Sequence, residues 1–211
     1  MKLYSWLTAP NPRRTKIFVA EKGIDIEIAE ASDPANPAAL SAAYCAKYPH
    51  RRVPLLELDD GDWIAEAAAI CRYLEALYPD PPLLGRTPKE IAIVEMWDRL
   101  AEWECLMAVS EVFRNSHKAF VGRGLAGYDF DIPQIPDLAE RGKLRLGSFF
   151  EKIDARLADT EFLAGDRFSL ADITALCAID FGISRRLPIP ETCAGVQRWH
   201  ADVSARPSVA A

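Results

Sequence analysis

Glu66 and Ala67 stand where a predicted helix begins, and a helix start is a place where a protein can hold an anion. The first backbone N–H groups of a helix have no partner inside it, and the aligned peptide dipoles add positive potential there. The pair therefore predicts a site for a carboxylate. The alternative is structural, because an acidic side chain at this position also stabilises its own helix through the dipole.

A second predicted helix start lies near the N-terminus, flanked by a hydroxyl and by basic side chains. Asn11 is a favourable N-cap residue, and Pro12 then occupies the first helical position. Thr8 precedes this start, while Arg13 and Arg14 follow it and add positive charge. The segment is a second candidate for stabilising an anion. The alternative is that Thr8 is an ordinary loop residue and that the arginines face water.

Short strands and helices of alternating type position both helix starts. Residues 2–7 form a first strand, a helix follows and ends at Gly23, and isoleucines alternating with acidic residues over 24–28 predict a second strand. Residues 31–49 are predicted to be a loop with a short helix. A strand over 53–58, an acidic turn and a return strand from Trp63 come next. The helix over 66–77 follows, and its predicted buried face is Ile70, Tyr73, Leu74 and Leu77.

The chain beyond residue 78 is predicted to be helical after a proline-rich linker. The linker covers 79–88, and the next helix begins with Thr87 as its cap and Glu90 three residues later. Ser169 and Asp172 form a similar capping box further on. Residues 122–136 read as a long loop, and long loops are often functional.

Composition and charge exclude several classes of function. The 211 residues carry a net charge of −6, with no basic stripe, which argues against a nucleic-acid partner and against an anionic membrane surface. No apolar run approaches the ~18 residues of a membrane span, so we expect a cytoplasmic protein. The five cysteines are widely spaced without a C-x-x-C pair, so neither a disulfide framework nor a metal site is expected. Most of them are predicted to be small core residues.

Five segments, in this order, resemble the cytosolic glutathione transferases, and in particular a bacterial group related to fungal, theta-like members. They are residues 8–14, residues 20–23, the strand and helix over 53–58 and 66–77, and the stretch 162–173. The resemblance covers nearly the whole chain. It implies a thioredoxin-like α/β glutathione-binding domain over residues 1–80 and an all-helical substrate domain over 87–211. It also implies a homodimer.

The resemblance further implies which residues bind glutathione. A cis peptide bond before Pro54 exposes the backbone of Val53 to the cysteinyl part of glutathione, and Glu66 and Ala67 receive the γ-glutamyl carboxylate. Asn11 belongs to the same set. The family usually has serine where this chain has Ala67, so one hydroxyl is missing. The segment with His50, Arg51 and Arg52 also departs from the family pattern, and it either attracts a glutathione carboxylate, crowds the site or is a solvated loop.

The group that activates the glutathione thiol has several candidates. Thr8 stands beside the first helix start, whereas Tyr4 and Ser5 lie within the first strand, where packing is the alternative role. Some members of the near branch use helical-domain residues and water, and the stretch with Ser116 and His117 resembles theirs. A surface histidine at a helix end is the alternative for His117.

The predicted function is conjugation of glutathione thiolate to a small, apolar electrophile bound between the domains, without a metal. Four large side chains are candidates for the electrophile pocket, although such a stripe is more often core: Trp97, Trp103, Met107 and Phe113. The competing hypothesis is a non-catalytic protein of the same fold that binds ligands or partners. Ala67 and the unusual segment at 48–52 favour this competitor, whereas Asn11, Val53, Pro54 and Glu66 favour the enzyme.

Overall fold

A four-stranded mixed sheet and two flanking helices form the first part of the chain. The computed structural model describes residues 1–6 and 9–210, with the backbone alone at position 38. In chain order the elements are β1 (Lys2–Ser5), α1 (Pro10–Glu21), β2 (Glu27–Glu30), β3 (Ser32–Asp33), β4 (Asn36–Leu40), α2 (Ala42–Lys47), β5 (Leu55–Glu57), β6 (Trp63–Ala65) and α3 (Ala67–Leu77). The sheet order is β2-β1-β5-β6, with β1 parallel to β2 and antiparallel to β5, while β3 and β4 pair separately.

Helices make up nearly all of the second part. They are α4 (Pro88–Leu100), α5 (Met107–Ser116), α6 (Pro136–Leu157), α7 (Leu170–Ser184) and α8 (Ala194–Ser204). A π-helical segment, Ala101–Leu106, joins α4 to α5 so that the three run on without a break, and short 3₁₀ turns cover Lys118–Phe120 and Pro207–Ala210. The irregular stretch between Phe120 and Pro136 agrees with the predicted long loop.

Both predicted capping boxes are present and fix the starts of α4 and α7. The Thr87 hydroxyl accepts from the Glu90 N–H at 3.2 Å, and Glu90 accepts from the Thr87 N–H in return. In the second box, Asp172 accepts from the Ser169 N–H at 3.0 Å. Asp172 also accepts from the indole N–H of Trp199 at 3.0 Å, which ties α7 to α8. Burial raises the pKa of the Asp172 carboxyl, although these hydrogen bonds oppose that shift.

One hydrophobic core runs from the sheet into the helical part. Leu3 and Leu56 of the sheet pack with Phe18 and Ile70 from the two flanking helices, and the same core continues into α7, which is buried along most of its length. Cys71, Cys105, Cys177 and Cys193 are buried, Cys45 is partly buried, and all five are free thiols. The prediction that most cysteines are core residues is confirmed.

The structure corrects three local predictions. Helix α1 begins at Pro10, so Ala9 is the N-cap; Asn11 lies inside the first turn, where its side chain accepts from Arg14 instead of capping. The predicted loop over 31–49 contains the β3–β4 hairpin as well as α2, because short alanine-rich strands lack a clear alternation. Leu77, predicted to be buried, is 49% exposed, since α3 ends there beyond the edge of the core.

Candidate functional site

The backbone of Val53 and the start of α3 lie side by side. Leu55 of β5 pairs with Ala65 of β6 in antiparallel register, so Val53, two residues before Leu55, and Ala67, two residues after Ala65, lie at the same end of this strand pair. The Val53–Pro54 bond is cis, as predicted; Asp80–Pro81 is also cis, which the sequence did not indicate. Neither backbone polar group of Val53 bonds to another backbone group within residues 1–6 and 9–210. An extended ligand therefore finds an unpaired donor and acceptor there.

Glu66 holds an unusual backbone conformation at the N-cap of α3. Its φ is +69°, which is uncommon for a residue other than glycine, and such residues cluster at ligand-binding sites. No side chain among the described residues caps the helix, so its first N–H groups remain available to a ligand. Ala67 is buried and contributes only its N–H to this surface. The arrangement is that of a carboxylate site next to an extended backbone edge.

Arg52 is the basic residue that points toward this site. Its Nη1 lies 3.9 Å from Oε1 of Glu66, whereas Arg51 turns away and places Nη2 3.4 Å from Oδ2 of Asp129. The His50 ring packs on Tyr48, with ring centroids 5.2 Å apart. The sequence left three alternatives open for the segment with Arg51 and Arg52. The position of Arg52 best fits the alternative in which a positive charge attracts a carboxylate. Arg51 instead connects this segment to the 122–135 loop through Asp129.

Gly127 explains how that loop approaches so closely. Its φ is +88°, and a β-carbon there would lie 2.7 Å from Nε of Arg52 and 3.0 Å from the carbonyl oxygen of His50. A residue with a side chain would be strained and would push the loop away from Arg52. The loop from the helical part thus covers the segment that flanks the carboxylate site.

The start of α1 is surrounded by charges that are paired. Arg14 is 1% exposed and donates to the Asn11 carboxamide at 2.9 Å and to Asp98 at 3.3 Å. Arg13 donates to Asp180 of α7 at 2.5 Å, and the other oxygen of Asp180 meets Nε2 of His200 at 2.7 Å. Of the two alternatives for these arginines, the one in which they face water does not hold for Arg14, which is buried and binds Asp98 and Asn11.

Asp98, Asp180 and His200 are residues that the sequence reasoning missed. Burial raises the pKa of the Asp180 carboxyl, but hydrogen bonds from His200 and Arg13 outweigh this, and its pKa is lowered overall. The sequence contained a signal that could have identified Asp180, since this carboxylate lies in α7, where nearly every neighbour is apolar. A carboxylate in such a helix requires a buried partner.

The candidates for thiol activation occupy three different places. Thr8 lies outside the described residues. Ser5 is 4% exposed at the end of β1, on the same face as Leu3. Ser116 donates to the Val112 carbonyl at 2.6 Å, and Nδ1 of His117 accepts from the Ala119 N–H at 3.2 Å. In the neutral tautomer that fits this bond, Nε2 of His117 carries the hydrogen and is free to donate.

The structure separates the four residues predicted for an electrophile pocket. Phe113 packs against Phe181 of α7, with centroids 5.5 Å apart. The Arg156 guanidinium carbon lies 5.7 Å from the Trp97 ring centroid, and Trp103 and Met107 are 61% and 38% exposed. Phe113 is therefore the member of the four that packs against an aromatic ring of α7.

In residues 1–6 and 9–210, no group of three His, Cys, Asp or Glu side chains could hold a metal ion. None of the helices in this part of the chain combines the length and the apolar character needed to cross a bilayer.

Family models match both parts of the chain. The model for the glutathione S-transferase N-terminal domain matches residues 3–82, and the one for the C-terminal domain matches residues 132–207. The chain belongs to the glutathione S-transferase family. This membership confirms the predicted fold class, a thioredoxin-like α/β part followed by an all-helical part.

Individual relatives agree with the family models. Glutathione S-transferase 2 of Saccharomyces cerevisiae is 34% identical over 99% of this chain and 88% of its own length. The crystal structure of Gtt2 from the same yeast has a TM-score of 0.85 at 30% identity and covers 100% of this chain and 99% of its own. A glutathione S-transferase domain-containing protein of Marinobacter aquaeolei has a TM-score of 0.87 at 35% identity, over 99% of this chain and all of its own. The predicted relation to fungal transferases is confirmed.

Proposed function

We propose that this glutathione S-transferase family member conjugates the thiolate of glutathione to an electrophilic carbon of a small, largely apolar substrate. The observation that supports the proposal most is the unpaired backbone of Val53 beside the start of α3. Glutathione presents a peptide backbone next to a γ-glutamyl carboxylate. The unpaired backbone of Val53 matches the peptide backbone, and the start of α3 beside it matches the carboxylate. A metal is not required, because the thiolate itself is the nucleophile.

Each site residue has a distinct role in this proposal. Val53, held by Pro54, pairs with the cysteinyl backbone, while the N–H of Ala67 and the side chain of Glu66 take the γ-glutamyl group. Arg52, 3.9 Å from Glu66, supplies positive charge, and His50 lies on the same segment. Asn11 contributes to the start of α1 because its side chain accepts a hydrogen bond from Arg14.

The thiol needs a group that favours its anion. A thiol with a pKa of about 8.5 is only a few per cent thiolate at neutral pH, and lowering that pKa by about two units takes about 2.7 kcal/mol. Thr8 is our first candidate, Ser5 the second, and His117 the third through its free Nε2–H. The N-terminus of α1 adds favourable potential.

The thiolate absorbance of the glutathione complex tests this assignment. We expect Thr8→Ala to raise the pKa of the bound thiol and to lower turnover at neutral pH, because the anion loses a hydrogen-bond donor. Ser5→Ala and His117→Gln are the comparison variants. If the pKa of the bound thiol is unchanged in Thr8→Ala, the proposed role of Thr8 is refuted. The role then belongs to Ser5 or His117, whichever substitution shifts this pKa.

Three further features belong to the proposal. Residues 1–80 form the glutathione-binding domain and residues 87–211 the substrate domain. The protein is a homodimer, and it works in the cytoplasm with glutathione as co-substrate. No nucleic acid or membrane takes part, in keeping with the net charge of −6.

A second candidate function is ligand or partner binding without catalysis. Ala67 favours it, because the hydroxyl that the family usually offers to the carboxylate is absent. Elongation factor 1-gamma of Prunus avium, a relative not named as an enzyme, is 28% identical over 87% of this chain, which covers 40% of that protein.

Calorimetric titration with glutathione separates the two functions. The transferase proposal expects saturable binding of one glutathione per chain, followed by turnover when an electrophile is added. Binding without turnover toward a panel of electrophiles would favour the second candidate. Absence of binding at millimolar glutathione would exclude the transferase.

A further inference from the structure

Four aromatic rings meet where the end of α5 approaches the end of α7. The Phe113 ring lies 5.5 Å from Phe181, 4.7 Å from Phe120 and 5.6 Å from His117, measured between centroids. The phenylalanines are partly exposed and His117 is exposed. They therefore form an apolar wall that a planar molecule can pack against, and we call these four residues the aromatic cluster.

The aromatic cluster is connected to the start of α1 through α7. Asp180 binds Arg13 in the first turn of α1 at 2.5 Å, and the next residue along α7 is Phe181. Phe181 thus directly follows the residue of α7 that contacts the helix start at which we propose that the reaction takes place.

Three arginines stack on this cluster. The Arg185 guanidinium carbon lies 4.0 Å from the Phe113 centroid and 5.3 Å from that of Phe181. Arg114 and Arg123 both lie over Phe120, at 4.9 and 5.3 Å. Cation–π contact of this kind fixes the guanidinium groups next to the wall.

None of the three arginines has a carboxylate partner within 4 Å among residues 1–6 and 9–210. Arg114 instead donates to the backbone carbonyl of Arg123 at 3.1 Å, and Arg123 to that of Ala119 at 2.7 Å. Two nearby acids are engaged elsewhere: Glu111 binds Arg141 and Arg145, and Asp180 binds Arg13 and His200. Asp131 lies beside Gly122 but forms no ion pair with the three arginines.

No carboxylate among the described residues therefore pairs directly with the positive charge at the cluster. Burial lowers the pKa of the Arg114 guanidinium, and the charge of Arg123 lowers it further. Two like charges over one ring repel each other, and an anion placed between them removes that cost. Guanidinium groups also offer paired N–H donors that match a carboxylate or sulfonate.

We propose that the aromatic cluster and Arg114, Arg123 and Arg185 bind the anionic group of the electrophile, so that the preferred substrates are planar organic anions such as aromatic carboxylates. This inference rests on the proposed transferase function and names its substrate class. For a chloroarene, the thiolate sulfur bonds to the carbon that carries chlorine, the C–Cl bond breaks, and chloride leaves. The thiol proton has already passed to solvent.

Direct binding tests the inference without glutathione. Titrating the protein with 3,5-dinitrobenzoate and with neutral 1,3-dinitrobenzene should show about tenfold tighter binding of the anion. Arg123→Gln and Arg185→Gln alter exposed side chains, so both should fold, and each should weaken the benzoate by about three- to tenfold without changing the neutral compound. Equal affinity for the two compounds, or equal weakening of both, would overturn the inference.

A matched control is Arg167→Gln. Arg167 is also exposed, but it precedes α7 while Arg185 follows it, and a 15-residue helix separates them by about 22 Å. Benzoate affinity should be unchanged in this variant. An equal loss in Arg167→Gln would show a general charge effect and contradict a local site.

Turnover distinguishes this inference from the function on which it rests. With glutathione, 4-chloro-3,5-dinitrobenzoate should show a raised KM and an unchanged kcat in Arg123→Gln, whereas 1-chloro-2,4-dinitrobenzene should be unaffected. Conjugation of the neutral compound without benzoate binding would refute the inference alone. Benzoate binding without glutathione binding would refute the transferase alone. If Arg123→Gln weakens glutathione itself, the arginines serve the co-substrate, and the inference is wrong.

Discussion

Ala67 is one of the places where the proposed carboxylate site departs from the family pattern. Its N–H is at the helix start, but in the proposed complex the missing hydroxyl would leave one oxygen of the γ-glutamyl carboxylate short of a donor. Arg52 is the residue placed to compensate, since Arg51 is directed toward Asp129 instead. The affinity for glutathione therefore depends on how much of the lost hydrogen bond Arg52 replaces.

We expect Ala67→Ser to tighten glutathione binding by about tenfold, because a hydrogen bond to a charged group contributes about 1.5–3 kcal/mol. Stability should barely change, since serine is well tolerated near a helix start. Calorimetry on both proteins at one pH and one salt concentration measures the effect. Ala76→Ser, at an exposed position in the last turn of the same helix, is the control and should not alter affinity.

Equal and strong binding by the parent and Ala67→Ser would contradict that prediction and indicate that Arg52 already compensates. Arg52→Gln should then weaken glutathione, whereas Arg51→Gln should not, because only Arg52 approaches Glu66.

At the scale of elements, a buried ion pair joins α1 to α4. Arg14 donates to Asp98, and Asp98 also accepts from the Thr174 hydroxyl at 2.5 Å and from Arg99 at 2.9 Å. Nε of Arg14 is buried without a partner among the described residues, so the pair is not fully satisfied. The contact fixes the α1 start relative to the π-helical segment that follows α4, and π-helical segments are frequent at functional sites.

Arg14→Met should destabilise the protein by about 3 kcal/mol, because it leaves Asp98 buried with less compensation. Combining it with Asp98→Asn should restore part of that loss, since the amide keeps an acceptor for Thr174 and carries no charge. Urea denaturation measures both effects. Arg86→Met, which removes an exposed ion pair with Asp80, is the control and should change stability by less than about 1 kcal/mol. If Arg14→Met proves as stable as the control Arg86→Met, the ion pair between Arg14 and Asp98 contributes little to stability.

At the scale of the whole molecule, an apolar stripe remains exposed along α4, the π-helical segment and α5. Met96, Trp103 and Met107 are 49%, 61% and 38% exposed, and their spacing places them on one side of the continuous helix. Leu144 of α6 is 77% exposed, and its neighbour Arg145 donates to the Trp103 carbonyl. Exposed apolar area of this kind is typical of an interface, which suits the proposed homodimer.

We expect the parent protein to sediment at twice the 23.4 kDa chain mass and Trp103→Glu to sediment as a single chain at micromolar concentration. Placing a charge in the centre of an apolar interface costs several kcal/mol. Leu125→Glu, at a similarly exposed apolar residue in the 122–135 loop, is the control and should remain dimeric. A dimer that survives Trp103→Glu but dissociates in Leu125→Glu would place the interface on the loop.

Local patterns in the sequence were enough to predict the structural features that depend only on residues close together in the chain. The two capping boxes, the stop at Gly23 and the start of α3 beside Glu66 all follow from hydrogen bonds or backbone preferences within a few residues. The start of α1 was displaced by two residues because two prolines compete for the first turn, and Pro10 rather than Pro12 occupies its first position.

The sequence by itself determined the family and the order of elements apart from the β3–β4 hairpin, because contiguous motifs carry this information. Only the tertiary structure decided that Arg52 rather than Arg51 faces Glu66, that Arg14 and Asp98 are partners, and that three arginines share one aromatic wall. These contacts join residues far apart in the chain, and their strength depends on burial and on distances of a few ångströms. Sequence spacing contains no such information until the chain is folded.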